Sequence, residues 1–194
     1  MPTDDELAEA LAAARAGDER GFAVLWHALQ PAVLRYLRVV AGAGAEDAAS
    51  ETWLQVARDL DRFTGDPGAF RGWLFRVARH RGVDELRRAS RRREDPAETV
   101  DDGQIAPDAA DEMVEAAETT WALSRVKALP ADQAEAVMLR IVAGLDVATT
   151  AQVLGKRRGA VRIATMRGLR RLAEDPEVRE RGADRARPET VEEV

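Results

Sequence analysis

The chain has 194 residues, no cysteine and only two histidines, His27 and His80, which excludes disulfides and thiolate metal sites and disfavours a histidine-rich one. No apolar run reaches the length of a membrane span and the N-terminus is acidic, unlike a signal peptide, so a soluble, cytoplasmic protein without membrane insertion is expected. The formal net charge of −6 argues against a nucleic-acid partner only until its distribution is read: residues 71–93 carry nine arginines against Asp84 and Glu85, 94–124 carry ten acids and no base, and 125–173 carry ten bases against three acids. Two basic blocks separated by an acidic one point to two nucleic-acid-facing surfaces.

Every periodic segment is helical and nothing alternates as a strand does. Thr3-Asp4-Asp5-Glu6 reads as a capping box for a helix carrying Leu7 and Leu11, closed by Gly17. Asp18 opens a second helix with Phe22, Leu25, Trp26 and Leu29 on one face. Pro31 is predicted to open a third at its first turn, with Val33, Leu34, Leu37 and Val40 inward and Gly42 and Gly44 breaking the chain. The next helix, 46–62, places Ala49, Trp53, Val56 and Leu60 on its apolar side. Asp47, Glu51, Gln55 and Arg58, spaced four, four and three, share the polar side. Its acids Glu46, Asp47, Glu51, Asp59 and Asp61 are spread along the helix rather than converging, which favours solvation or docking to a basic partner over metal binding.

After the loop 64–68, a helix from Phe70 to Arg92 has Trp73, Leu74, Val77, Ala78 and Leu86 as its apolar stripe, flanked by Arg76, Arg79, His80, Arg87, Arg88 and Arg91. A basic helix beside a Gly/Pro loop, with aromatics at Phe63, Phe70 and Trp73, suits gripping an unstacked base, although the helical spacing of Trp73 to Val77 favours an ordinary core role for that ring. His80 has no serine, cysteine or carboxylate arranged with it as a nucleophile or general base, and no enzyme is predicted.

Residues 93–111, with two prolines, a glycine and few large apolar groups, read as a flexible, self-repelling acidic linker. Helices over 112–129, with Val114, Ala117, Trp121 and Leu129, and over 131–143, with Ala134, Val137, Met138 and Ile141, follow on either side of Pro130. Segment 141–172 is a helix–turn–helix. Gly144 ends one helix, Asp146 caps a short one with Val147, Ala151 and Leu154 inward, and Gly155 permits the turn. The last helix is predicted to bury Val161, Thr165, Leu169 and Leu172 and to expose Arg158, Arg162, Arg167, Arg170 and Arg171, with no carboxylate between Lys156 and Arg171. Such a helix fits the major groove, where guanidinium forks meet guanine edges and phosphates. The expected architecture is all-α: two small helical domains, 1–92 and 112–174, joined by the linker 93–111, the second ending in the helix–turn–helix, then a disordered tail over 175–194.

Three segments together carry a family resemblance. AEDAASETWLQVARDLDRF (45–63), FRGWLFRVARHRGVDELRRASRR (70–92) and ALPADQAEAVMLRIVAGLDVATTAQVLGKRRGAVR (128–162) resemble, in order and spacing, motifs of the extracytoplasmic-function sigma factors. The chain departs from the family pattern at His80, often Asn, at Ala148-Thr149-Thr150-Ala151 and at Ile163-Ala164. The resemblance implies a transcription initiation factor that binds core RNA polymerase and promoter DNA, with no cofactor, metal or catalytic residue. By resemblance, Asp47, Glu51, Gln55 and Arg58 dock on the polymerase, and Phe63, Asp66, Phe70, Arg76, Arg79 and His80 hold the −10 element. Arg157, Arg158, Arg162, Ile163, Arg167 and Arg170 face the −35 element, and an anti-sigma factor is an open further partner. Two alternatives stay open: a helix–turn–helix regulator acting without polymerase, expected to dimerise on a palindrome, and an interaction module whose arginine helices dock on acidic protein.

Overall fold

Thr3 starts the first helix reciprocally: its Oγ1 accepts from the Glu6 N–H at 3.2 Å, and its own N–H donates to Glu6 Oε2 at 2.7 Å. The computed structural model describes residues 3–94 and 110–185, which are helical throughout apart from short turns. In chain order the helices are α1 (Asp4–Arg15), α2 (Glu19–Val40), α3 (Ala45–Asp59), α4 (Pro67–Glu94), α5 (Ala110–Lys127), α6 (Ala131–Val137), α7 (Val147–Leu154), α8 (Arg158–Glu174) and α9 (Pro176–Arg185). Most of the expected linker, 95–109, and the last residues, 186–194, lie outside the described residues, as does the side chain of Val114.

α1 lies on α2 with almost no gap, because a Cβ at Gly21 would come within 2.7 Å of the Ala10 carbonyl oxygen. Asp18 caps α2 through the Arg20 N–H at 2.8 Å. The break expected at Pro31 does not occur: α2 runs on for 22 residues with Pro31 inside it. Proline in a helix interior removes one backbone bond at a cost of roughly 3 kcal/mol. Here both Pro31 and His27, whose carbonyl loses its donor, face solvent. Water can satisfy that carbonyl, and the buried side continues unbroken through Leu29, Ala32, Val33, Tyr36 and Leu37. α3 packs on α2 and α4, with Trp53 Nε1 donating to Gln30 Oε1 at 2.6 Å and Phe22 edge-on to the indole.

The helix expected over 131–143 changes pitch. Beyond α6 the backbone widens into a π turn over Met138–Val142, where the Ala143 N–H donates to the Met138 carbonyl. The extra residue in that turn rotates Ile141, expected inward, to 58% exposure while Met138 and Leu139 are buried. Gly144 and Gly155 both take positive φ, at +66° and +63°: the first ends the turn before α7 and the second closes α7 itself. On α8 the inward residues are Val161, Ala164 and Gly168. Leu169 is exposed and Thr165 half-buried, because α8 approaches α6 closely: a Cβ at Gly168 would lie 2.8 Å from Val137 Cγ2. A contact that tight selects small side chains and turns the larger leucine away. Ala117 and Leu86 are likewise exposed and Leu34 half-buried.

The tail expected to be disordered from 175 opens instead with α9, held to the C-terminal part of α5 at its start and its middle. Arg125 pairs with Asp175 at 3.8 Å and Glu177 at 2.8 Å, and the Arg181 guanidinium sits 4.5 Å over the Trp121 ring. The helical groups α1–α4 and α5–α9 meet, with α4 against α7 and α2 against α5 and α6, so one buried apolar cluster includes residues of both.

Asp146 anchors α7 by accepting from the Thr149 N–H at 2.8 Å, and this bond holds its carboxyl below the usual carboxylate range. Asp146→Ala is expected to lower unfolding free energy by about 1 kcal/mol, as loss of a helix N-cap does. Because the folded-state pKa is depressed, the cap stabilises above the ordinary carboxylate pKa and fades as pH falls through the depressed value. Denaturation curves at neutral and acid pH check this: the gap between wild type and variant closes on acidification.

Candidate nucleic-acid interface

α8 exposes what its sequence placed outward. Arg157 sits at the N-cap position without a side-chain cap, and Arg158, Arg162 and Ile163 occupy the exposed side of the first turns. The opening N–H groups of α8 have no side-chain acceptor, which adds a partial positive charge to the arginines there. Arg167, Arg170 and Arg171 are exposed further along. Arg170 Nε donates to Glu174 Oε1 at 2.8 Å, whereas among the described residues no carboxylate pairs with Arg157, Arg158, Arg162 or Arg167. Ile163 at 48%, Met166 at 62% and Leu169 at 41% exposure lie among these cations. Met166 was not anticipated, since methionine on a helix reads as core until the packing is known.

In the first group, Phe63 stacks on Trp73 with centroids 5.2 Å apart and planes 21° from parallel, and both rings are half-buried. Phe70, placed among the strand contacts from sequence, is 1% exposed. It meets Phe63 edge-on at 5.6 Å, so its ring supports the Phe63–Trp73 pair and offers no face of its own. Asp66 is likewise engaged locally: its Oδ1 accepts from the Ala69 N–H at 2.7 Å and caps the start of α4. Arg76 and His80, one helical turn apart, are exposed together. Arg71 turns away to Asp4 at 3.0 Å.

Arg79 does not join that exposed row. Its Nε donates to Glu135 Oε2 at 2.7 Å, and the same oxygen accepts from Tyr36 Oη at 3.3 Å. Burial, with the Glu135 charge in support, pushes the Tyr36 phenol well above its ordinary range, so it remains a donor at working pH. The Glu135 hydrogen bond raises the Arg79 guanidinium further. Tyr36, fully buried, was missed although it lies three residues after Val33 on the same side of α2, because no local signal pairs its hydroxyl with a carboxylate 99 residues away.

On α3, Asp47, Glu51 and Arg58 are exposed and Gln55 half-buried, opposite the buried Ala48, Ala49, Thr52, Trp53 and Val56, as the spacing requires. Arg81 of α4 holds this face in place, donating to Gln55 Oε1 at 2.8 Å and lying 3.8 Å from Glu51. Leu54, 57% exposed, sits in the middle of the polar residues. Among the described residues, no group of three or more His, Asp or Glu side chains is placed to hold a metal ion, and no helix is long and apolar enough to cross a membrane.

Comparison with known proteins converges on one family. The sequence pattern of Sigma-70 region 2 matches residues 25–92, and that of Sigma-70 region 4 matches residues 120–172. The ECF RNA polymerase sigma factor SigD of Mycobacterium tuberculosis is 33% identical over 178 residues, covering 88% of this chain and 84% of SigD. Two solved structures share the fold. CnrH, in complex with the cytosolic domain of CnrY, superposes with a TM-score of 0.60 at 22% identity over 87% of this chain and 96% of that one. RpoE of Bartonella quintana, in complex with the anti-sigma factor NepR, gives 0.58 at 20% identity over 79% and 94%. Two arginine-bearing helices placed where regions 2 and 4 match, and a relative of this identity over most of both chains, establish that the chain belongs to the extracytoplasmic-function sigma factors of the sigma-70 family.

Proposed function

We infer that this alternative RNA polymerase sigma factor reads the −35 element as duplex through α8 and opens and holds the −10 element through α4, inside a cytoplasmic holoenzyme. The observation that carries the reading is the pair of exposed arginine rows, on α4 and on the first turns of α8, within one chain whose overall charge is negative. Phosphates attract both rows, and sequence is then read by base-edge contacts. At −10, Arg76, Arg79 and His80 would hold the non-template strand while the Phe63–Trp73 pair receives an unstacked base. Stacking worth roughly 1–3 kcal/mol per base offsets the few kcal/mol needed to extrude it. In this role buried Phe70 supports the ring pair from behind, while Asp66, whose Oδ1 caps the start of α4, stays exposed and would meet the strand from the loop. The exposed side of α3, Asp47, Glu51 and Arg58 with Gln55, would dock on core polymerase, and Leu54 adds an apolar contact there. The domain division at 1–92 and 112–174 belongs to the same reading. So does an anti-sigma partner, supported by the complex of the structurally similar Bartonella quintana RpoE with NepR.

The test is run-off transcription with core polymerase on genomic templates followed by start-site mapping. Defined starts that depend on the added chain are expected. Tight binding to a palindromic duplex as a dimer, with no effect on core polymerase, would instead establish the polymerase-independent regulator.

Two substitutions separate base reading from phosphate contact. Arg162→Ala should cost about 1–3 kcal/mol and relax specificity at one −35 base pair, as loss of a bidentate contact does. Arg170→Ala should weaken all promoters about evenly and lower the salt slope by about one, because its exposed pair with Glu174 is weak and readily exchanged for a phosphate. Holoenzyme binding across single base-pair changes at several salt concentrations distinguishes them. A uniform loss for Arg162→Ala would move it among the phosphate contacts.

A further inference from the structure

The contact between the two helical groups falls on the surface that the −10 strand needs. Arg79 Nε lies 2.7 Å from Glu135 Oε2 and its Nη2 3.5 Å from Oε1, so the guanidinium fork faces both carboxylate oxygens of a residue 56 positions away in the other group. Tyr36 Oη closes the arrangement from α2. The side chains of Arg79 and Glu135 are 27% and 18% exposed, so the pair is partly shielded from water and screened less than a surface ion pair. Close by, α4 and α7 touch without clearance: a Cβ on Gly72 would stand 2.5 Å from Thr149 Cγ2. Thr149 cannot swing aside freely, because its Oγ1 is bonded to Asp146 Oδ2 at 3.2 Å.

Carboxylate and phosphate present the same pair of anionic oxygens to an arginine fork. Two elements centred about 25 base pairs apart are separated by about 85 Å along straight DNA, at about 3.4 Å per base pair. α4 and α7 cannot remain in contact while one group sits at each element. We propose that Glu135 occupies Arg79 as a phosphate substitute, holding the free protein closed between α4 and α6, and that a single DNA strand opens it by competing for that guanidinium. The proposal rests on the reading of α4 as the −10 helix. It differs from it in assigning Glu135 and Tyr36, which touch no DNA, a regulatory role.

The absence of cysteine allows site-specific labelling of the full chain. Ala23→Cys on α2 and Gln152→Cys on α7, both exposed, carry a donor and an acceptor dye that report the spacing of the two groups by energy transfer. The DNA probe is a random-sequence single-stranded 12-mer, since a phosphate competitor acts without regard to sequence. Glu135→Gln should lower transfer efficiency and raise affinity for the 12-mer three- to thirty-fold, and Glu135→Arg should do so more strongly. Tyr36→Phe, which removes one hydroxyl from an otherwise packed ring, should shift both in the same direction by a smaller factor and serves if the Glu135 variants fail to fold. Gly72→Ala is an uncharged wedge that should lower transfer by itself. Adding the 12-mer to wild type should lower transfer in a salt-dependent way.

Unchanged transfer in the Glu135 and Tyr36 variants overturns the latch. Lowered transfer with unchanged DNA affinity overturns the competition for Arg79. Run-off transcription by wild type reports separately on the sigma reading: a chain that programmes core polymerase while its Glu135 and Tyr36 variants move neither readout refutes the latch alone. A chain that does not programme core polymerase refutes the reading beneath it.

Discussion

Phe75→Ala is expected to lower the unfolding free energy by about 3–5 kcal/mol, the range for truncating a fully buried aromatic ring. Phe75 is 0% exposed and meets Tyr36 edge-on, with centroids 5.7 Å apart and planes at 84°, between α4 and α2. Truncation removes the ring, leaves a cavity beside fully buried Tyr36, and forfeits an aromatic pair worth roughly 0.5–1.5 kcal/mol beyond its area. Domains of this kind are stable by only about 5–15 kcal/mol, so the variant is expected to be partly unfolded near 37 °C and to lose transcription with every promoter alike. Leu86→Ala on the same helix, where the side chain is 48% exposed, should stay within about 0.5 kcal/mol of wild type. Urea denaturation of the pair checks the contrast. A loss below about 1 kcal/mol for Phe75→Ala would mean that the site collapses around the missing ring.

The largest expected effect on assembly comes from reversing two charges on α3. With Asp47→Lys and Glu51→Lys together, affinity for core polymerase should fall by roughly 2–4 kcal/mol, because attraction to a basic surface becomes like-charge juxtaposition, which costs several kcal/mol. Local costs are smaller. Glu51 loses a 3.8 Å exposed pair with Arg81, worth about 0–1 kcal/mol, and a lysine in the first turn of α3 opposes the helix dipole by about 0.3–1 kcal/mol. The buried side of α3, from Ala48 to Val56, is untouched, so circular dichroism should report unchanged helicity. Core binding titrated at several salt concentrations measures the effect. Unchanged affinity with intact helicity would remove α3 from the polymerase interface and leave its acids as solvated surface.

What could be read from sequence alone was whatever a few neighbouring residues decide. Thr3, Asp18 and Asp146 cap helices because their side-chain oxygens reach N–H groups two or three residues on, and Gly144 and Gly155 end helices because a positive φ costs glycine little. The exposed row Asp47, Glu51 and Arg58 and the outward arginines of α8 follow from helical spacing on segments with one wet side. The resemblance in motif order added the family.

Tertiary packing decided the rest. α2 continues through Pro31 because solvent meets the orphaned carbonyl while the buried side stays continuous. Phe75 went unread because α4 is enclosed by α2, α3 and α7, so its buried surface is wider than one stripe. Ile141 faces out because a π turn shifts the phase of the helix, and Leu169 faces out because Gly168 admits α6 so closely. Asp66 and Phe70 were legible as a loop acid and an aromatic, but which of their atoms remain free depends on the start of α4 and on Phe63. Above all, nothing within ten residues of Arg79 announces Glu135. An arginine fork takes any suitably placed pair of oxygens, and only the folding of α6 against α2 and α4 brings that carboxylate within 2.7 Å.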